Sequence, residues 1–122
     1  NNTSIYIFES PIDLLSYMSL NPQKKLENNA FLSMGGISDI ALKQFITDYQ
    51  PNVKQINICF DNDEAGQINA TKIKELYKDK YKVNIIKPIY KDYNEQLLYI
   101  KKLIDKSNTN DVQNQTISQI LK

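Results

Sequence analysis

The chain reads as an α/β protein, a Rossmann-like parallel four-stranded sheet flanked by helices. Three observations predict this. Short β-branched and aromatic runs alternate with longer stretches of helical period, glycine and proline punctuate the joins, and acids gather just after the apolar runs. In an open parallel sheet those joins are the carboxyl ends of the strands, where loops and helix N-termini converge on ligands.

Taken in order, Ser4 to Phe8 is the first strand. Pro11 to Leu20 follows as a helix with proline in its first turn and Ile12, Leu15 and Met18 as its apolar positions. Ala30 to Met34 is the second strand, closed by Gly35 and Gly36; Ser38 can cap a helix to about Tyr49 carrying Ile40, Ala41, Phe45 and Ile46, and Pro51 stops it. Gln55 to Phe60 is the third strand, and Glu64 to Tyr81 a helix with Ala65, Ile68, Ile73, Leu76 and Tyr77 along it. Val83 to Ile86 is the fourth strand. Tyr93 to Ile104 is the last long helix, and the polar residues from Lys106 to Gln115 read as a loop or tail before a short helix. The expected division is a domain over 1–105 and a polar tail with a short helix over 106–122.

With 122 residues, 41% hydrophobic and 24% charged, the chain has the size and apolar content of one ordinary domain. No apolar run approaches the roughly 20 residues of a membrane span, and the start NNTSIYIFES lacks a basic lead and an apolar signal segment, so the expectation is a soluble cytoplasmic protein. One Cys and no His exclude a zinc site by ligand count. Cys59, inside an apolar run, reads as core filler. Without His, acid and base chemistry falls to carboxylates, Lys or Tyr. Fifteen Lys and no Arg give a net charge of +1, too little for a protein that grips DNA unaided.

After the four strands come Glu9 and Asp13; Gly35 and Gly36; Asp61 and Asp63; and Lys91, Asp92, Asn94 and Glu95. Carboxylates on one rim repel one another unless a cation neutralises them. Mg²⁺ suits an Asp-x-Asp pair at a strand end, because it takes oxygen ligands and is held by one or two carboxylates with phosphates completing the shell. Asp61 and Asp63 fit that role, with Glu9 placed to move a proton. Each residue also has a plainer use: Asp61 as a helix cap, Glu9 as a loop acid, Gly35 and Gly36 as a turn, Lys91 as a solvated charge.

The order Glu9-Ser10-Pro11-Ile12-Asp13, Met34-Gly35-Gly36, Asp61-Asn62-Asp63-Glu64-Ala65-Gly66 resembles the Toprim domain of DnaG-type primases, type IA and II topoisomerases, OLD-family nucleases and RecR proteins. The likeness runs from residue 4 to about 100. Ser10 and Pro11 depart from the glycine usual after the glutamate. The Ala65-Gly66 ending looks more like the primase branch, and Lys91-Asp92-Tyr93-Asn94-Glu95-Gln96-Leu97 is similar to a segment of primase-like Toprim proteins of plasmids, phages and conjugative elements. The resemblance implies Glu9 as general acid or base, Asp61 and Asp63 as Mg²⁺ ligands (Mn²⁺ being an alternative ion), and Asp13 as a supporting acid. Gly35, Gly36, Lys91, Asp92, Asn94 and Glu95 would lie near phosphate.

The function it implies is Mg²⁺-dependent nucleotidyl transfer in a primase-like DNA-processing protein, acting in replication or mobile-element transfer. DNA would be held through neighbouring domains of a longer chain, with a nucleotide as possible substrate. The competing readings are an OLD-like nuclease domain and a Toprim-fold interaction module without activity of its own. A receiver-like phosphoacceptor domain expects a single acceptor Asp, which the Asp61-x-Asp63 pair and the glycine turn oppose.

Overall fold

The computed structural model describes residues 3–24, 26–35, 39–49, 52–107 and 120–121. Strands β1 (Thr3–Phe8), β2 (Asn29–Ser33), β3 (Val53–Ile58) and β4 (Lys82–Ile85) alternate with helices α1 (Pro11–Leu20), α2 (Ile40–Tyr49), α3 (Glu64–Tyr77) and α4 (Tyr93–Ser107). The strands form one sheet in the order β2-β1-β3-β4, and every pairing is parallel. β1 and β3 are therefore the interior strands. The expected fold class is the observed one.

Alternation along β1 divides the core in two. Ile5 and Ile7 point to one face with Ile56 and Ile58 of β3, where Leu42 and Ile46 of α2 and Ala70 and Ile73 of α3 cover them. Tyr6 and Phe8 point to the other with Cys59, beneath Tyr17 of α1 and Tyr93 of α4. This second layer is aromatic: the Tyr17 and Tyr93 rings meet edge to face at 4.9 Å, and Tyr6 stacks on Phe31 at 5.3 Å. Burial raises the pKa of the Cys59 thiol, as suits its place as filler.

The strands match the sequence reading to within one or two residues. β3 starts and stops earlier than expected because its ladder with β1 runs from Val53 to Ile58; Cys59 and Phe60 stay buried beyond it, with the Cys59 N–H donating to the Ile7 carbonyl at 2.8 Å. α3 ends at Tyr77, not Tyr81, and α4 runs on to Ser107, taking in Lys106 and Ser107, which were expected in a loop or tail. Gly36, Ser38, Pro51 and residues 108–119, on which the remaining turn, cap and tail expectations fall, lie outside the described residues.

Helix faces are where the sequence misleads. In α1 the apolar Ile12 and Leu15 are 57% and 62% exposed, while the buried positions are Asp13, Ser16 and Tyr17. In α3 the buried line is Gly66, Ala70 and Ile73; Ala65, Ile68 and Leu76 face outward. In α2 Ile40 is exposed and Leu42 is fully enclosed. Among the described residues no helix is long and apolar enough to cross a membrane.

This reversal of α1 is measurable. Tyr17→Ala, which empties the aromatic layer, should cost about 3–5 kcal/mol in urea unfolding, whereas Leu15→Ser should stay within about 0.5 kcal/mol of the parent. Equal losses would put Leu15 back into the core.

Candidate metal centre at the carboxyl edge of the sheet

Because β1 and β3 are neighbours in register, Glu9 and Asp61 leave the sheet side by side. Glu9 Oε1 accepts the backbone N–H of Asp61 at 3.0 Å. Asp13 arrives one helical turn into α1, whose N-cap is Ser10: the Ser10 hydroxyl accepts the Asp13 N–H at 3.4 Å and donates to Asp13 Oδ2 at 2.9 Å. Ser10 thus does the work of a cap. The other Asp13 oxygen, Oδ1, accepts the Asn94 N–H at the start of α4 at 3.2 Å, and Asp92 accepts the Glu95 N–H at 2.7 Å. The positive end of α4 thus faces Asp13 and Asp92 together.

Carboxylate oxygens of Asp13, Asp61 and Asp92 lie within 4.8 Å of one another. Asp63 is turned elsewhere, as the N-cap of α3, its Oδ1 accepting the Gly66 N–H at 2.7 Å. The cap that the sequence left open to Asp61 thus belongs to Asp63. Lys91 is exposed at its side chain, and its carbonyl accepts the Asn62 N–H at 2.6 Å. Asn94 also receives a long hydrogen bond from the buried Ser16 hydroxyl, 3.5 Å from its Oδ1. Glu95 contributes its N–H while its side chain is exposed.

Glu9, Asp13, Asp63 and Asp92 each accept a backbone N–H. Among the described residues no donor reaches the carboxylate of Asp61. Desolvation first, and then the negative charges of Glu9, Asp13, Asp92 and Asp63, push its pKa from 3.8 up to about 7. A cation among these oxygens would reverse that logic. The donor set is all carboxylate, which fits a hard divalent ion.

Two glycines serve the site differently. Gly35, after β2, adopts φ +66° with open space where a Cβ would lie, so its need is conformational. Gly66 is a matter of room. A Cβ there would run into the Asp61 carbonyl and lie 2.9 Å from Glu9 Oε1. Only glycine lets the first turn of α3 press against the acids. Gln67 adds a hydrogen bond to the Asp61 carbonyl at 3.0 Å. Asn62, Gln67 and Ser16 carry no signal in the sequence; of the local devices here, only the Ser10-x-x-Asp13 box has a recognisable pattern.

The raised pKa of Asp61 should make stability fall with pH. Between about pH 4 and pH 7 the folded chain should hold a proton on Asp61 that the unfolded chain has lost, so stability should decline as pH rises through that window. Asp61→Asn should be free of that decline, and its stability relative to the parent should grow from pH 4 to pH 8 in denaturant titrations. A constant difference would mean that Asp61 titrates normally. Gly66→Ala should destabilise by about 1–3 kcal/mol, the usual range for overpacking, and should shift the Glu9 and Asp61 resonances in NMR spectra.

Comparisons with known proteins identify the family. The sequence matches the Toprim-like family over residues 6–97. The fold is similar to the primase fragment of the bacteriophage T7 primase-helicase protein, with 25% identity, a TM-score of 0.62, and coverage of 97% of this chain and 44% of that one. It is also similar to a chain in the complex of bacteriophage T7 lagging-strand DNA polymerase with primase domains bound to an RNA/DNA hybrid and dTTP. There the identity is 23% and the TM-score 0.55, covering 100% of this chain and 55% of that one. This chain thus spans about half the length of these structures. No curated protein is significantly similar to it. With the family match taking in Glu9, Asp13, Asp61, Asp63 and Asp92, the chain belongs to the Toprim-like family and stands with its primase-like branch.

Proposed function

We propose that this domain is the Mg²⁺-dependent nucleotidyl-transfer domain of a larger, primase-like DNA-processing protein. The observation that carries the reading is the convergence of Asp13, Asp61 and Asp92, with Glu9 beside them, at the carboxyl edge of a Toprim sheet. Asp61 is a cation ligand in this reading, with Asp13 and Asp92 next to it. Asp63, the motif's second acid, adds charge beside Asp61 and joins the shell only by sharing its bond to Gly66. When bound, Mg²⁺ (or Mn²⁺) polarises a phosphoryl oxygen and offsets charge that develops in the transition state.

The protein's own groups do the rest. Glu9, held in place through one oxygen by the Asp61 N–H, has the other free of that bond to take or give the proton of an attacking or leaving oxygen. Lys91, exposed beside Asp92, supplies positive charge for a phosphate. Gly35, at φ +66° after β2, is a place where backbone can approach a phosphate. DNA and a nucleotide are the substrates of this reading, with the nucleic acid held by parts of the parent chain outside this domain.

Mn²⁺ binding to the chain, followed by electron paramagnetic resonance, should be weak and should disappear in Asp61→Asn. In the parent protein Glu9→Gln should leave Mn²⁺ affinity within a few-fold while nucleotidyl transfer falls roughly 10²- to 10⁴-fold. Cleavage of DNA without primer synthesis would favour the nuclease reading. Full activity with Glu9→Gln would leave Glu9 a loop carboxylate.

A further inference from the structure

Asn62, the residue between the two acids of the motif, is the only direct hydrogen-bonded link that the described residues show between the β3–α3 loop and the β4–α4 loop. Its backbone N–H donates to the Lys91 carbonyl at 2.6 Å, and its side-chain Nδ2 donates to the Pro88 carbonyl at 3.2 Å. One residue thus grips the second loop at two points, just before Asp92. Gln96 of α4 braces the same loop from behind, its Oε1 accepting the Ile89 N–H at 3.0 Å. Asp61 and Asp92 sit immediately beside these bonds, Asp61 preceding Asn62 and Asp92 following Lys91. Their carboxylate oxygens, with one of Asp13, lie within 4.8 Å of one another, and like charges that close repel. Something must hold the loops together against that repulsion.

We infer that Asn62 is a positioning residue, which fixes the separation of Asp61 and Asp92 so that their oxygens, with those of Asp13, form one preorganised cation shell. The inference rests on the metal-centre reading above. Its chemistry is that of an outer support, because Asn62 touches no ligand oxygen but holds the backbone on which two of the three ligands are mounted. The side-chain amide is the part that a substitution can remove; the bond from the Asn62 N–H to Lys91 survives in any residue except proline.

The test uses Mn²⁺ affinity of the whole chain, measured by electron paramagnetic resonance, with thermal unfolding alongside. Asn62→Ala should weaken Mn²⁺ binding roughly three- to tenfold, the worth of one neutral hydrogen bond. In an Asp92→Asn background the same change should add little, because the ligand it positions is gone; additive losses would mark a merely structural residue and overturn the inference. Asn62→Asp separates the possibilities again. Charge alone would raise Mn²⁺ affinity, whereas loss of the donor to Pro88 should lower it, so a tighter complex would also overturn the proposal. Should Asn62→Ala fail to fold, the sign of the Asn62→Asp change still decides. A parent chain that binds no Mn²⁺, or binds it undiminished after Asp61→Asn, would instead bring down the metal-centre reading itself.

Discussion

The architecture of the acidic edge depends on the way backbone N–H groups are shared among its carboxylates. Four acids each accept one: Glu9 from Asp61, Asp13 from Asn94, Asp63 from Gly66 and Asp92 from Glu95. Three of these donors sit in the first turn of a helix, whose N–H groups have no partner within the helix and whose dipole favours negative charge. Without them, little would offset the mutual repulsion of acids this close together. Among the described residues Asp61 is left without such a donor, and desolvation together with the neighbouring acids raises its pKa.

The same economy explains why so small a site draws on so many elements. α1 turns Asp13 and Ser16 inward, against the start of α4, and leaves Ile12 and Leu15 in solvent. A helix at a site edge serves two ends at once, and here the polar contact with α4 outranks the burial of two aliphatic side chains. α3 makes the complementary choice, presenting a glycine where most helices bury a side chain, so that its first turn can come within contact of Glu9 and Asp61. Behind them lies the aromatic layer, where Tyr17 of α1 and Tyr93 of α4 pack against each other and against Phe8.

The fold was legible because its signals are local. Runs such as Ile5 to Phe8 and Ile56 to Ile58, separated by helical segments with proline or glycine at their borders, leave little besides a parallel α/β sheet. The acids Glu9, Asp13, Asp61 and Asp92 were legible through their places after strands. The orientation of each side chain was not. Asp61 and Asp63 are equivalent in sequence, and only the path of the chain into α3 decides which of them caps the helix and which faces Asp13 and Asp92. Helix faces failed for a related reason: periodicity assumes that the inward side is apolar, and in α1 the inward side is the site. Asn62 carried no signal, since its partners are carbonyls about thirty residues away that every residue possesses.

The contact between Asp13 and Asn94 spans 81 positions of the chain. β1 must also wait for β3 before it becomes an interior strand, and every pairing in the sheet is parallel. Such a topology has little that can form early on its own, because each strand contact closes a long loop. During synthesis, therefore, the acidic rim comes into being last, once the first turn of α4 has been made and has docked. Until then Asp13 and Asp61 belong to separate, solvated segments. A nascent or truncated chain that ends before Asn94 lacks the N–H that holds Asp13, so completeness of the polypeptide is itself a condition for assembling the centre.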